Sequence, residues 1–219
     1  MRLPKNFARS SLASRKAHAF KSSMTANSSE SPFNRFKRWF DAARRAGEPC
    51  PEAMALATAD PGGGGAVRFV LLKEIDARGF VFYTDLRSRK GRDLLSNPRA
   101  ALGFYWHKTG RQVRVEVKVE RVDDVTADTY WSTRPIKSTI SASVSRQSSP
   151  LSDRASLVEA AHALYRRLKG RRPERPSYWT GLRVVPKKIE FWTSKPNRLH
   201  ERELFVAKGD RWYRRLLQP

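Results

Sequence analysis

Hydrophobic and polar residues alternate along much of the chain after residue 50, and this alternation is typical of β-strands with one buried face. The strand-forming runs predict strands at residues 53–59, 67–73, 80–84, 100–107, 112–122, 182–193, 204–207 and 212–215. Glycine-containing turns separate several of these runs, including residues 62–65 and 108–110. The pattern predicts a mainly β, α+β protein, built as a small antiparallel barrel with helices packed outside.

Four other segments repeat their hydrophobic residues at helical spacing. The first helix is expected to begin at Ser31 and Pro32, because serine caps a helix and proline suits its first turn. The other helices are predicted at residues 88–97, 125–134 and 153–169. In the last helix, Leu157, Leu164 and Leu168 are expected to face the core.

Composition narrows the class of protein. The 219 residues are 39% hydrophobic and include one cysteine, Cys50, so the chain can form a core but no intrachain disulfide. No hydrophobic run approaches the roughly 20 residues that span a bilayer. The net charge of +23 either solvates the surface or attracts phosphates, including small phosphorylated ligands and nucleic acid. The cations form no recognised nucleic-acid motif, so neither nucleic acid nor a membrane is expected as a partner.

The first 30 residues differ in composition from the rest. They contain six cations, many serines and no acidic residue before Glu30. Three interpretations fit this pattern: an organelle transit peptide, a disordered arm, or an extension that precedes a true start at Met24. The single cysteine favours a reducing compartment, and a cytoplasmic location is expected unless the tail directs the protein to an organelle.

One group of candidate functional residues lies near the C-terminus. Arg198, His200 and Arg202 alternate, so on a strand they would share one face while Leu199 points to the core. Two guanidinium groups and an imidazole on one face are costly unless they are solvated or bind an anion. The segment is therefore either a solvent-exposed edge strand or part of a site for an anionic ligand.

A second group lies around Pro135. Tyr130 and Arg134 are four residues apart and share a helical face, whereas Ser138 follows the proline and is expected in a loop. A phenol, a guanidinium and a hydroxyl together suit a phosphate monoester. The alternative is a capped helix end without a ligand.

A third group combines basic residues with strand and helix ends. Arg68 and Lys73 bracket a hydrophobic run, and Arg89 and Lys90 follow Ser88 at a helix start, where backbone N–H groups favour anions. Amide and hydroxyl partners for a polar heterocycle are present at Gln112, Gln147 and Ser148. The histidines lack metal-ligand spacing, so no metal is expected. Neither a Gly-x-Ser-x-Gly elbow nor a Gly-x-Gly-x-x-Gly fingerprint occurs.

Many blocks of the sequence match one enzyme family in their order and spacing. The blocks are Arg68-Phe-Val-Leu-Leu-Lys73, Phe82-Tyr83-Thr84, Ser88-Arg89-Lys90, Asn97-Pro98, Arg111-Gln112-Val113, Ser132-Thr-Arg134-Pro135, Gln147-Ser148-Ser149, Glu190-Phe191-Trp192 and Arg198-Leu-His200. Because of these matching blocks, the chain from about Pro32 to Pro219 resembles the pyridoxine/pyridoxamine 5'-phosphate oxidases. The resemblance implies a split β-barrel that forms a homodimer and binds flavin mononucleotide (FMN) between its two chains.

The resemblance also implies roles for individual residues. The FMN-binding residues would be Arg68, Val70, Leu71, Lys73, Tyr83, Thr84, Arg89, Lys90, Gln112, Gln147, Ser148, Trp192 and Arg202. Arg89 and Lys90 would contact the phosphate of FMN. The substrate phosphate would be bound by Lys73, Tyr130, Arg134 and Ser138. The catalytic pair, Arg198 and His200, would bind the substrate ring and position it over the flavin.

The implied reaction is the oxidation of pyridoxamine or pyridoxine 5'-phosphate by dioxygen to pyridoxal 5'-phosphate, with release of hydrogen peroxide. Two alternatives are a flavin-dependent oxidase of another ring substrate, such as a phenazine precursor, and a non-catalytic protein that binds flavin or pyridoxal phosphate. Three segments are expected: a basic tail at residues 1–30, an FMN-binding domain at 31–170, and strands at 171–219 that complete the barrel and the dimer interface. The sequence departs from the family pattern at Ser141-Ala-Ser143, where Gly-Ala-Trp is common.

Overall fold

The computed structural model describes residues 25–26 and 30–219 of the chain. Most of the basic N-terminal tail, and with it the three interpretations offered for that tail, lies outside the described residues. Within the described part of the chain, no helix is long and hydrophobic enough to cross a membrane.

One antiparallel sheet forms the centre of the described structure. Its strands are β1 (Thr25–Ala26), β2 (Ala53–Ala59), β3 (Gly65–Leu71), β4 (Glu74–Asp76), β5 (Gly79–Asp85), β6 (Arg99–Trp106), β7 (Arg111–Arg121), β8 (Trp179–Thr193), β9 (Glu201–Lys208) and β10 (Arg211–Leu217). Along the sheet the order is β1-β10-β9-β8-β7-β6-β2-β3, and β4 and β5 lie off this path. The predicted strands are all present, and β1 and β4 are two additional short strands that the sequence pattern did not reveal.

The long strand β8 divides the sheet. One edge of β8 pairs with β7 along almost its whole length, while the other edge pairs first with β5 and then with β9. A bulge at Glu116 and Val117 shifts the register between β7 and β8 where this change occurs, and bulges bend strands. The sheet therefore curls and splits at β8, which confirms the predicted antiparallel split barrel.

Five helices lie along the described chain: α1 (Pro32–Arg45), α2 (Arg89–Ser96), α3 (Asp124–Thr133), α4 (Ile136–Val144) and α5 (Arg154–Arg167). Helices α1, α2, α3 and α5 confirm the predictions. The placement of Ser138 in a loop was wrong, because it lies in α4. Pro135 ends α3 as expected, but its φ of −55° also suits the residue that precedes a new helix.

Two further local predictions were wrong. Arg198 and Leu199 do not extend into a strand, because Asn197 and Arg198 take left-handed φ angles of 56° and 61°, and β9 begins only at Glu201. Leu199 consequently points to solvent, with 70% of its surface exposed. The leucines expected to face inward from α5, Leu157, Leu164 and Leu168, are partly buried, but none of them belongs to the main core cluster.

The core fills the space between α1 and the concave side of the sheet. Phe36 of α1 is fully buried, and its ring meets those of Phe80 and Phe104 edge to face, with centroids 4.9 Å away in both cases. This arrangement suits the quadrupole of aromatic rings and combines with a large buried apolar area. Helix α1 is thereby attached to β5 and β6, the strands that lead into the candidate site.

The substitution Phe36→Ala is expected to lower the free energy of unfolding by about 3–5 kcal/mol, because it removes buried contacts and leaves a cavity that cannot fully close. The matched control is Val125→Ala, since Val125 is 77% exposed on α3 and should change stability by less than about 0.5 kcal/mol. Urea unfolding of the two variants and the wild type provides the measurement. Equal effects of the two substitutions would contradict the assignment of Phe36 to the core.

Candidate active site

Three cations meet at the start of helix α2. Ser88 is fully buried and caps the helix, its hydroxyl accepting a hydrogen bond from the N–H of Gly91 at 3.2 Å. Arg89 and Lys90 form the first turn, and Arg68 of β3 lies close enough to depress the pKa of Lys90 by repulsion. Backbone N–H groups at a helix start attract anions, so this cation cluster is suited to bind a phosphate.

Arg68 is held in place by two buried partners that the sequence interpretation missed. Its Nη1 donates to Thr58 Oγ1 at 2.8 Å, and Thr58 Oγ1 donates to Asp93 Oδ2 at 2.6 Å. The carboxylate of Asp93 also lies 3.6 Å from Arg68 Nη2. The guanidinium is therefore oriented before any ligand binds. No local sequence signal indicated this, because Thr58 and Asp93 lie on different elements.

Lys90 connects the cation cluster to the loop after α4. Its Nζ donates to Gln147 Oε1 at 2.6 Å and to Ser88 Oγ at 3.3 Å, and Thr84 Oγ1 donates to the same Gln147 oxygen at 3.3 Å. Burial, and secondly repulsion by Arg68, lowers the pKa of Lys90 to about 8. The structure thus brings together four residues that the resemblance implied for FMN.

A cavity of about 500 Å³ opens beside this cluster. Its lining residues are Tyr83, Thr84, Asp85, Arg134, Lys137, Ser138, Ser141, Ala142, Ser145, Gln147 and Trp179. The ring of Tyr83 stacks on Tyr130 at 3.8 Å and on Trp179 at 5.3 Å, and both pairs are within 13° of parallel. This aromatic stack forms a flat wall, so the cavity combines a planar apolar surface with polar groups.

Arg134 faces the cavity from the end of α3. Its guanidinium carbon lies 4.8 Å from the centre of the Trp179 ring, and its Nη2 donates weakly to Ser138 O at 3.4 Å. Its Nε is buried and makes no hydrogen bond. Burial lowers the pKa of Arg134, and the neighbouring Tyr130 opposes this effect. A guanidinium that lines a cavity without an ion pair to any described acidic residue is suited to an anionic ligand group.

A separate group of residues lies at the junction of β7, β8 and β9. Trp192 is paired across the strands with Gln112 on one side and with Arg202 on the other. Arg202 is braced by the buried Glu190, to which its Nε donates at 2.8 Å, while Arg114 approaches the other carboxylate oxygen of Glu190 at 3.3 Å. Glu190 is a supporting residue that the sequence interpretation did not identify.

His200 packs against Trp192, with ring centres 4.6 Å apart. Its Nδ1 accepts a hydrogen bond from the N–H of Lys195 at 3.2 Å. In a neutral imidazole with an accepting Nδ1, the proton lies on Nε2, which is then available as a donor. The exposed Arg198 lies two residues away in the turn that precedes β9.

No hydrogen bond, ion pair or ring contact within the described residues joins the Trp192 group to the cavity or to the cation cluster. Lys73 is also exposed, and only its backbone is fixed, by an N–H bond to Val81 O at 2.9 Å. Val70 packs against the core, Leu71 is 41% exposed, and Ser148 takes a left-handed φ of 69°. Within a single chain, the site residues implied by the family resemblance therefore form two groups that do not contact each other.

Comparison with known proteins identifies the family. The profile described as pyridoxamine 5'-phosphate oxidase matches residues 40–167, and that of the pyridoxine 5'-phosphate oxidase C-terminal dimerisation region matches residues 179–219. The chain belongs to the pyridoxamine 5'-phosphate oxidase family. Within this family, the conserved dimerisation region corresponds to β8, β9 and β10, the strands that carry Trp192, His200 and Arg202.

Individual relatives agree with this family membership. The chain is 48% identical over 188 residues to the pyridoxine/pyridoxamine 5'-phosphate oxidase of Rubrobacter xylanophilus, which covers 86% of this chain and 87% of the relative. It is 50% identical over 179 residues to the corresponding protein of Bordetella petrii, with coverages of 82% and 84%. The enzyme class predicted from the sequence is therefore confirmed.

Two solved structures share the fold. PhzG from Burkholderia lata 383, in complex with tetrahydrophenazine-1-carboxylic acid, superposes with a TM-score of 0.82 at 34% identity, covering 86% of this chain and 92% of PhzG. A pyridoxamine 5'-phosphate oxidase-related, FMN-binding protein from Nostoc punctiforme gives a TM-score of 0.72 at 17% identity, covering 88% and 100%. The second comparison supports the fold alone.

As a member of this oxidase family, the protein has FMN as its cofactor. The residues present fit that group. Arg68, Arg89 and Lys90 gather positive charge at a capped helix start, where a phosphate would be stabilised. Burial, and secondly the nearby Arg68, lowers the pKa of Lys90, and a bound phosphate would favour its charged form.

Binding of FMN at pH 8.5 is expected to take up a proton at Lys90. The pKa of this lysine is about 8 in the absence of an anion, so part of the population is neutral, and a phosphate favours the charged form. Affinity should therefore decrease as the pH rises above 8. Titration calorimetry in buffers of different ionisation enthalpy measures the uptake. Lys90→Arg keeps the charge but should remove the uptake, and equal uptake in both proteins would contradict the assignment.

Proposed function

We propose that this protein oxidises pyridoxamine or pyridoxine 5'-phosphate to pyridoxal 5'-phosphate. With the alcohol, the substrate and dioxygen yield the aldehyde and hydrogen peroxide; with the amine, water is also consumed and ammonia is released. The observation that carries the proposal is the cavity in which Arg134 and Ser138 lie beside the stacked rings of Tyr83 and Trp179. Such a site suits a flat heterocycle that bears a phosphate.

The cofactor-binding residues are proposed in two sets. The cation cluster, with Thr84 and Gln147, would hold the phosphate end of FMN, and Gln112, Trp192 and Arg202 would contact it from the other group. The remaining residues of the proposed set are Val70, Leu71, Lys73, Tyr83 and Ser148. Bound FMN supplies the redox chemistry, because its flavin ring accepts a hydride and is reoxidised by dioxygen.

The substrate phosphate is proposed to bind Tyr130, Arg134 and Ser138, with Lys73 as a further cation. Arg134 and Ser138 line the cavity, and Tyr130 lies behind Tyr83 in the aromatic stack. A guanidinium presents several donors in a fixed plane, which suits the oxygens of a phosphate.

Arg198 and His200 are proposed to position the substrate ring rather than to act as a general base. A guanidinium such as that of Arg198 offers hydrogen-bond donors and no acceptor, which suits a positioning role. His200 has its Nδ1 occupied by the Lys195 N–H, so its Nε2–H can donate to a ring substituent. Both groups would donate hydrogen bonds to polar substituents of the substrate ring and thereby hold the reacting carbon in position for hydride transfer.

We further propose that two chains combine to form each active site. The family's dimerisation region carries one group of site residues, and that group makes no contact with the cavity within the described part of one chain. The outer face of β3 presents Val67 and Phe69 to solvent, with 69% and 76% of their surface exposed, which suits coverage by a second chain. In a homodimer, Arg198 of one chain would then lie at the cavity of the other chain.

A second candidate substrate is a phenazine precursor. The observation that favours it is the structural similarity to PhzG, whose crystal contains tetrahydrophenazine-1-carboxylic acid. A substrate without phosphate would have no use for the Arg134 and Ser138 pair, so this candidate ranks second. A non-catalytic flavin or pyridoxal phosphate-binding protein is the third candidate, and it predicts bound FMN without turnover of either substrate.

The deciding experiment supplies the purified protein with FMN, air and either pyridoxine 5'-phosphate or tetrahydrophenazine-1-carboxylic acid. Matched formation of pyridoxal 5'-phosphate and hydrogen peroxide would support the first proposal. Turnover of the phenazine compound alone would support the second candidate. Bound FMN with no turnover of either compound or of pyridoxamine 5'-phosphate would contradict both oxidase proposals.

The substitution Arg134→Gln is expected to raise the KM for pyridoxine 5'-phosphate by about tenfold or more, because one charge-assisted contact to the phosphate is lost. The kcat should change much less, since the reacting carbon is held by other residues. Arg154→Gln is the matched control, because Arg154 is exposed on α5 and lies outside the cavity. An unchanged KM in the Arg134 variant would place the substrate phosphate elsewhere.

A cytoplasmic location remains a prediction from the sequence, because most of the basic tail lies outside the described residues. The absence of a nucleic-acid partner likewise remains a prediction. Steady-state kinetics of the protein with and without residues 1–23 would measure whether the tail affects the oxidase reaction.

A further inference from the structure

The start of helix α4 offers donors that no residue of the described chain uses. Pro135 precedes the helix and provides no side-chain cap, and the first turn contains no acidic residue. The N–H groups of Ser138 and Thr139 donate to Pro135 O at 2.9 and 3.1 Å. The N–H groups of Ile136 and Lys137 have no such partner in the described structure, so this helix end carries an unbalanced positive potential.

Lys137 adds a full charge to the same helix end. Its side chain lines the cavity, and it makes no ion pair with any described residue. Ser141 lies one helical turn further along α4 and also lines the cavity, as does Ser138. One face of α4 therefore presents an ammonium group and the hydroxyl of Ser138 to the cavity that contains Arg134, whereas the Ser141 hydroxyl already donates to Lys137 O at 2.9 Å.

The acidic residue that lines this cavity does not cancel the charge. Asp85 forms an ion pair with Arg87, whose Nη2 lies 2.7 Å from Asp85 Oδ2. Asp85 also accepts the backbone N–H of Arg87 at 2.7 Å. With its carboxylate already satisfied, the two cations of the cavity, Arg134 and Lys137, have no acidic partner among the described lining residues. Both cations line the same cavity, so a dianion bound there would be attracted by each of them.

We infer that Lys137 is a further phosphate-binding residue and that, with the free N–H groups of the first turn of α4, it sets the preference for phosphorylated over unphosphorylated ligands. The inference rests on the proposed function, because it takes the cavity as the phosphate subsite. It adds a residue that neither the motif blocks nor the resemblance pointed to. Arg134 provides a planar fork, whereas Lys137 contributes a mobile point charge that neutralises the second negative charge of the phosphate.

The test compares a phosphorylated ligand with its unphosphorylated counterpart in the FMN-loaded protein. The probes are 4-deoxypyridoxine 5'-phosphate and 4-deoxypyridoxine, which have neither an aldehyde that could react with lysines nor a hydride donor for the flavin. Titration calorimetry measures their affinities for the wild type and for Lys137→Gln, Lys137→Arg, Arg134→Gln and Lys187→Gln. Lys187 is an exposed lysine outside this cavity, so its variant controls for the loss of one charge.

Lys137→Gln is expected to weaken binding of the phosphorylated probe by about 10- to 150-fold, the range for loss of a hydrogen bond to a charged group. Binding of the unphosphorylated probe should not change. Lys137→Arg should restore most of the affinity, and Lys187→Gln should behave as the wild type. The loss should also shrink at high salt, because the interaction is one of exposed charges.

Two results would overturn the inference in distinguishable ways. If Arg134→Gln lowers the affinity for the phosphorylated probe while Lys137→Gln does not, the cavity is the phosphate subsite but Lys137 has no part in it. If neither variant affects the difference between the two probes, the phosphate subsite is wrongly placed and the inference fails together with that part of the proposed function. An equal loss for both probes in Lys137→Gln would indicate a purely structural role and would also contradict the inference.

Discussion

Replacing Arg198 with alanine is expected to lower kcat by about 10²- to 10³-fold while FMN affinity stays unchanged, the size expected when a preorganised charge is removed from the reacting centre. Arg198 is exposed and makes no side-chain contact within the described structure, so the fold does not need its guanidinium. The left-handed turn at Asn197 and Arg198 directs the chain away from the extended path before β9 begins. The loss of kcat is therefore expected without a loss of stability, in line with the proposed role of Arg198 in positioning the substrate.

Steady-state kinetics and FMN titration of the Arg198→Ala protein provide the measurement. Arg211→Ala is the matched control, because Arg211 is also exposed near a strand start on the C-terminal part of the chain. Arg198→Lys retains the charge and should recover part of kcat, since an ammonium lacks the planar fork of a guanidinium. Parallel losses of kcat and FMN affinity would instead show that Arg198 supports the cofactor site as a whole.

Mixing two inactive variants is expected to restore about a quarter of the wild-type activity, because random pairing yields heterodimers in half of the population and each would contain one intact site. The variants are Arg134→Glu, which reverses the charge in the cavity, and Arg198→Ala, which disables the other group. Each homodimer should have a very low kcat/KM at limiting substrate. The gain arises only if the cavity and Arg198 of one active site come from different chains.

Co-expression of the two chains with different affinity tags, followed by isolation of the heterodimer, makes this measurement direct. The isolated heterodimer should have about half of the wild-type kcat/KM, since one of its two sites is intact. Wild-type chains with the same pair of tags serve as the control for purification. A heterodimer as inactive as the two homodimers would mean that the cavity and Arg198 of the same chain form the active site.

The local sequence determined the strands and most of the helices of this protein. Alternating side chains have one face to bury, so the runs that became β2, β6, β7 and β8 could be recognised without knowledge of their neighbours. The start of α1 could also be predicted from neighbouring residues, because Ser31 caps the helix and Pro32 fits its first turn. The motif blocks added the family, and with it the split barrel and the cofactor, because their order along the chain is itself sequence information.

Backbone geometry at a few residues was not determined by that pattern. Arg198, His200 and Arg202 alternate as in a strand, but the left-handed angles at Asn197 and Arg198 interrupt it and expose Leu199. Helix α4 was not predicted, because Pro135 was interpreted only as the end of α3. A proline can equally precede a new helix, as it does here. Both the interrupted strand and the additional helix depend on how the following residues pack. The spacing of hydrophobic residues along the chain gives no information about that packing.

Only the tertiary structure decided which side chains meet. Lys90 and Gln147 are 57 residues apart, yet their side chains are 2.6 Å apart, and this contact exists because α2 and the loop after α4 both pack near β5. The bracing of Arg68 by Asp93 and of Arg202 by Glu190 likewise joins separate elements. The sequence by itself determined the elements, the family and the chemical types of the site residues, because these follow from local side chains. The positions of the charges, the pKa of Lys90 and the separation of the site into two groups followed only from packing, because they depend on distances between residues remote in the chain.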